Sequence, residues 1–115
     1  MTQSVEPLQF PAFQEQLRHV ARFVSAAKSV NPLEAVLTTI RRNPAMSQAR
    51  LLTRILAAFN GNQALFRESE VATFDNEHLA LVVALMDAHN AGTLPANEWV
   101  RAADEADAAQ RAFDS

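Results

Sequence analysis

The sequence predicts an all-α fold, a compact bundle of five or six helices, and three observations carry that expectation. Alanine is the commonest residue, 22 of 115, and Ala, Leu, Gln, Glu and Arg are all strong helix formers. Apolar residues recur three and four apart in successive stretches, the period of one helix face. The five prolines stand at the edges of those stretches rather than inside them. A chain of this length buries about two-thirds of its unfolded surface, so a single domain can supply its own core.

Residues 1–10 read as a flexible N-terminal arm, with Pro7 and Pro11 framing Leu8 and Phe10, and residues 11–115 as one helical domain. Pro11 suits the first position of a helix, where its missing N–H costs nothing. Phe13, Leu17, Val20, Val24 and Ala27 then form one stripe, widened by Phe23 and Val30, and the helix is expected to end near Val30. Asn31, Pro32 and Glu34 make a second start signal: a cap, a proline at the first position and an acid at the third. Leu33, Val36, Leu37 and Ile40 follow it, and Arg41 and Arg42 suit the negative end of the helix dipole. Asn43-Pro44 repeats the start, with Ser47 a competing cap. Leu51, Leu52, Ile55, Leu56 and Phe59 supply the third stripe, and Asn60-Gly61 ends it in a left-handed turn.

Residues 62–74 read as a loop followed by a short helix from about Arg67. Asp75 or Asn76 caps the next helix. Leu79, Val82, Val83 and Met86 form one of its faces and Leu81 and Leu85 another, so it is apolar almost all round. Such a helix is central in a bundle or is half of an interface. Ala80, Ala84 and Ala88 add a small-residue stripe, and Asn90-Ala91-Gly92 closes the helix. Pro95 opens the last one, whose inward stripe reads Trp99, Ala103, Ala106, then Ala109 or Gln110, and Phe113; its final turns rest on alanine contacts and are expected to fray.

Composition excludes several functions. The absence of cysteine removes disulfides, thiolate metal sites and cysteine nucleophiles. Two glycines, Gly61 and Gly92, cannot build a G-x-G-x-x-G turn or a P-loop. The longest apolar run, Leu79 to Met86, falls far short of the ~20 residues needed to span a bilayer. The first six residues show neither the basic nor the apolar region of a signal peptide. Nine arginines to one lysine, with abundant alanine, fit a GC-rich bacterial genome, and a cytoplasmic setting is the expectation.

Charge is divided unevenly along the chain. Residues 1–60 carry seven Lys/Arg and three Asp/Glu, or +4; residues 61–115 carry three and ten, or −7. Arg41, Arg42, Arg50 and Arg54 lie within fourteen residues, which makes them a candidate anion or nucleic-acid face. A pI near 5.5 and the lack of interleaved aromatics favour instead that they meet carboxylates of the acidic half. Met46 to Leu52 resembles the first helix of bacterial helix-turn-helix domains. Such a domain needs a short turn and a recognition helix next, whereas this helix runs on to Phe59 and acidic Glu68 and Glu70 follow.

From Asp87 to Glu98 the chain resembles a degenerate EF-hand helix-loop-helix. Asp87, Gly92 and Glu98 stand at positions 1, 6 and 12, Leu94 at the apolar position 8, and Trp99 follows. Positions 3 and 5 are His89 and Ala91, and alanine offers no oxygen, so tight calcium binding is not expected. Helix-stop chemistry at Gly92 and helix-start chemistry at Pro95 and Glu98 explain most of the same residues. Asp87, His89 and Glu98 are therefore only weak metal candidates. His78 and His89, eleven residues apart, are separated by about 16 Å along a helix and cannot share an ion there. His19 lies beside the first helix's apolar stripe.

No pair of carboxylates and no serine or threonine is marked as catalytic, and no cofactor is implied. The expectation is a non-enzymatic protein acting by protein–protein contact, with a second copy or another protein as partner. Leu81, Leu85, Met86 and Trp99 are its candidate contact residues. Substituted by aspartate, Leu81 or Leu85 would either abolish association or unfold the chain, which separates interface from core.

Overall fold

The computed structural model describes residues 7–22, 31–62 and 64–114, and the apolar stripes become helices there. These are α1 (Phe10–Val20), α2 (Pro32–Arg42), α3 (Ser47–Phe59), α4 (Asn76–Ala91) and α5 (Ala96–Asp114), with a 3-10 segment, Glu68–Thr73, between α3 and α4. Among the described residues there is no strand, only an isolated antiparallel bridge between Leu8 and Phe66.

Local chemistry sets the boundaries. The Asn31 side chain accepts from the N–H groups of Leu33 (3.1 Å) and Glu34 (3.3 Å), two of the donors a helix start leaves unpaired. Asp75 does the same for α4 through His78 N–H at 2.9 Å. Gly61 (φ +88°) and Gly92 (φ +65°) take the left-handed turns that stop α3 and α4, a conformation that disfavours side chains with a Cβ.

Helix α4 packs against α1, α2 and α3, while α2 and α3 are the most heavily packed helices of the bundle. Helix α5 lies across α2 and α3, and the 3-10 segment packs against α1 and α3. Phe13, Leu17, Val36, Ile40, Leu52, Ile55, Leu56, Val82, Leu85 and Met86 fill the interior with no exposed surface. No helix of the described residues is long and apolar enough to cross a membrane.

Several boundaries differ from the sequence expectation. Helix α1 ends at Val20, which is half exposed, and the expected continuation towards Val30 falls on residues 23–30, outside the described residues. Helix α3 starts at Ser47 with Met46 as its unassisted cap, because Asn43 is spent in the preceding turn, its carbonyl accepting from Met46 N–H. The N-terminal arm is docked from Leu8 onward: Leu8 and Phe66 exchange backbone hydrogen bonds of 2.6 and 2.8 Å, and Phe10 already belongs to α1. Its first six residues lie outside the described set.

Helix α5 buries Trp99, Ala102, Ala106 and Gln110, and Phe113 lies outside with the Arg50 guanidinium 5.9 Å from its ring centre. Arg50 also pairs with Asp114, an exposed ion pair between α3 and the last turn of α5. No recognition helix follows α3; the chain runs through a turn and the Phe66 bridge into the 3-10 segment.

Candidate docking cleft

The sequence's candidate arginines are largely consumed by the fold. Arg41 meets Glu105 at 2.8 Å, Arg50 meets Asp114 at 2.9 Å, and Arg54 meets Glu70. Arg18 adds a fourth link between the basic and acidic halves, to Asp87 at 3.1 Å. The proposed anion face is thus interleaved with carboxylates, and among its four arginines only Arg42 has no such partner in the described residues.

The loop aligned with a calcium site is also committed elsewhere. Helix α4 continues through Ala91, so the first five positions of the would-be loop are helical and only Gly92 to Pro95 connect the helices. Asp87 is held by Arg18, and Glu98 by Arg101 at 2.7 Å. His89 packs its ring 4.7 Å from Phe59 and 5.0 Å from Trp99. The described residues contain no group of three or more His, Asp or Glu able to hold a metal ion.

The candidate contact residues of α4 and α5 require a correction. Leu85 and Met86 have no exposed surface because α1, α2 and α3 pack against α4, and Trp99 has 5% because α5 lays it against Phe59 and His89. Only Leu81 is half-buried, and it packs against the edge of the core. The small-residue stripe Ala80, Ala84 and Ala88 is half-buried too.

A different surface emerges between α3 and the N-terminal segment. After the Gly61 turn the chain extends through Leu65 and Arg67 and pairs with Leu8 at Phe66. Successive side chains of an extended segment point to opposite sides. Phe66 therefore turns inward, fully buried and stacked on Phe13 with centroids 4.3 Å apart. Leu65 and Arg67 turn outward, and Leu65 is left 55% exposed.

Arg54 fixes this segment from α3. Its guanidinium lies 4.9 Å from the Phe66 ring centre, donates to the Leu65 carbonyl at 2.7 Å, and also donates to the Glu70 carboxylate. Glu70 in turn accepts from the Arg67 backbone N–H at 2.8 Å. Burial pushes the Glu70 carboxyl upward, but the hydrogen bonds from Arg54 and from Arg67 N–H, with the positive charges of both guanidinium groups, outweigh it and hold the group below its ordinary range.

The result is an open cleft of about 570 Å3 lined by Pro7, Arg54, Leu65, Phe66, Arg67, Ser69 and Glu70. One side is apolar, the other carries two guanidinium groups and one carboxylate, a local charge of +1. Among the described residues the Arg67 side chain has no ion-pair partner. Sequence reasoning missed this surface, because neighbouring Leu65 and Phe66 look equally apolar until the bridge decides which one faces in. Compared with family models, curated proteins and solved structures, the chain matches none.

Proposed function

We propose that this protein is a non-catalytic interaction module that binds another protein through the cleft beside Leu65. The observation that carries the reading is the outward Leu65, an exposed leucine on a segment held rigidly by the Phe66 bridge and the Arg54 clamp. A preorganised apolar side chain between polar neighbours binds with little ordering cost. The apolar face of α4, the surface the sequence suggested for this role, is occupied within the chain.

The test compares two equally exposed positions, Leu65 and Val100, the latter 51% exposed on α5. Leu65→Asp is expected to abolish retention of the partner, while Val100→Asp retains it, with both variants keeping the wild-type circular dichroism. Loss on Val100→Asp alone, or on neither, overturns the reading. Light scattering near twice 12.6 kDa that Leu65→Asp returns to 12.6 kDa would make the partner a second copy and overturn it as well.

A further inference from the structure

Leu65 and Arg67 stand two residues apart on the outward side of one extended segment, so their side chains rise from the same side about 6.6 Å apart. The first offers an aliphatic surface and the second a guanidinium that forms no ion pair among the described residues, its charge acting on the nearby Glu70 carboxylate. Between them and α3 lies the Arg54–Glu70 pair. From this juxtaposition we infer that the cleft recognises an extended peptide segment of a partner protein carrying an aliphatic residue and, two positions away, a single carboxylate. The inference rests on the cleft being the docking surface.

The register argument is geometric. A partner strand lying along Leu65–Arg67 presents its own alternate side chains to this surface with the same two-residue spacing, which lets one cover Leu65 while the other reaches Arg67. Charge decides the class of anion. Arg54 and Arg67 contribute two positive charges and Glu70 one negative, so one carboxylate neutralises the cleft. A phosphate, at about −1.5 to −2, would leave excess negative charge beside Glu70. The planar fork of Arg67 also matches a carboxylate's two oxygens. Ser69, on the same wall, supplies a hydroxyl donor.

The test titrates end-blocked pentapeptides into the isotope-labelled full chain and follows backbone amide resonances. The probes are acetyl-Leu-Ala-Glu-Ala-Ala-amide, the reversed Glu-Ala-Leu order, the glutamine counterparts and the phosphoserine counterparts. One of the glutamate peptides is expected to shift the amides of Leu65, Arg67 and Ser69 in a saturable way. Its glutamine counterpart should bind about tenfold more weakly, the scale of a hydrogen bond to a charged group. Arg67→Gln should lower glutamate-peptide affinity by a similar factor; the backbone hydrogen bond from Arg67 to Glu70 survives the substitution, and only the guanidinium's charge beside Glu70 is lost.

Equal binding of glutamate and glutamine peptides overturns the inference, as do shifts confined to residues away from the cleft or an absence of shifts. Tighter binding of the phosphoserine peptide replaces a carboxylate partner with a phosphorylated one and also overturns it. Partner retention that still depends on Leu65 in those cases leaves the docking surface standing and rejects only the acidic motif. Retention indifferent to Leu65 rejects the docking surface itself.

Discussion

Gln110 is the one buried polar residue of the described interior, and replacing it with methionine tests how the seam between α3 and α5 is held. Its side chain is 8% exposed. The Thr53 hydroxyl donates to the Ala49 carbonyl at 2.9 Å, so towards Gln110 it can only accept. That fixes the amide: Nε2 donates to Thr53 at 3.3 Å, and Oε1 faces a buried position with no donor among the described residues. One hydrogen bond contributes about 0.5–1.5 kcal/mol, and a long one belongs at the lower end, whereas an unsatisfied buried acceptor costs about 1–3 kcal/mol. The difference puts the glutamine about 1 kcal/mol behind an apolar side chain of its own shape. Methionine has nearly that shape, fits irregular gaps and matches glutamine in helix propensity. Gln110→Met is therefore expected to stabilise the fold by about 1 kcal/mol, raising Tm by about 4 °C for a domain of this size. Urea unfolding followed through Trp99, the single tryptophan and itself buried, measures it directly. A loss of 1 kcal/mol or more would refute the reasoning, because Oε1 would then be supported by a donor such as a buried water.

Three further outcomes follow from the same structure. Phe66→Ala should cost about 3–5 kcal/mol in urea unfolding, since the ring is fully buried and stacked on Phe13, while Phe66→Leu costs far less. Gly92→Ala meets no atom within 4 Å of its new Cβ, so its cost is the left-handed backbone alone, about 1 kcal/mol, read as a lower Tm. Asp75→Ala removes the α4 cap and should cost about 1 kcal/mol at pH 7. The backbone N–H of His78 and then its ring hold the Asp75 carboxyl below its ordinary value. A depressed carboxyl stabilises above its unfolded pKa and stops doing so as pH falls through the folded one. The gap between wild type and Asp75→Ala should therefore narrow below about pH 4, and a gap that widens there would exclude the cap as its source.

What the sequence made legible followed from local rules. The Asn31 and Asp75 caps and the Gly61 and Gly92 stops each depend on a few neighbouring residues, and each is found as expected. The expectations that differ depend on partners distant in sequence. Arg50 meets Asp114 across 64 positions, so nothing near Phe113 announces that its ring lies outside, by the Arg50 guanidinium. The cleft beside Leu65 is hidden for the same reason: Leu8 and Phe66 are 58 residues apart, and it is their bridge that turns Phe66 inward and Leu65 outward. The resemblance to a calcium loop misled because Gly92, Pro95 and Glu98 suit a helix–turn–helix junction equally well, and α4 uses Asp87 to Ala91 as its last turn.

The uneven charge of the two halves has a comparable resolution. A chain split into +4 and −7 segments can spend that difference on other molecules or on itself, and here four arginines of the first half reach carboxylates of the second. Exposed pairs of this kind contribute only about 0.2–1 kcal/mol each, so they do not account for the fold. Their larger effect is on the surface, where they cancel the basic patch that the sequence suggested for phosphates. Among the described residues Arg42 and Arg67 take no part in that cancellation. Arg42 sits in the last turn of α2, where the helix dipole already favours a cation. Arg67 caps the 3-10 segment with its backbone, and its side chain stands exposed beside the exposed Leu65. An exposed aliphatic group beside a cation that forms no ion pair among the described residues is the feature from which we propose partner binding at this segment.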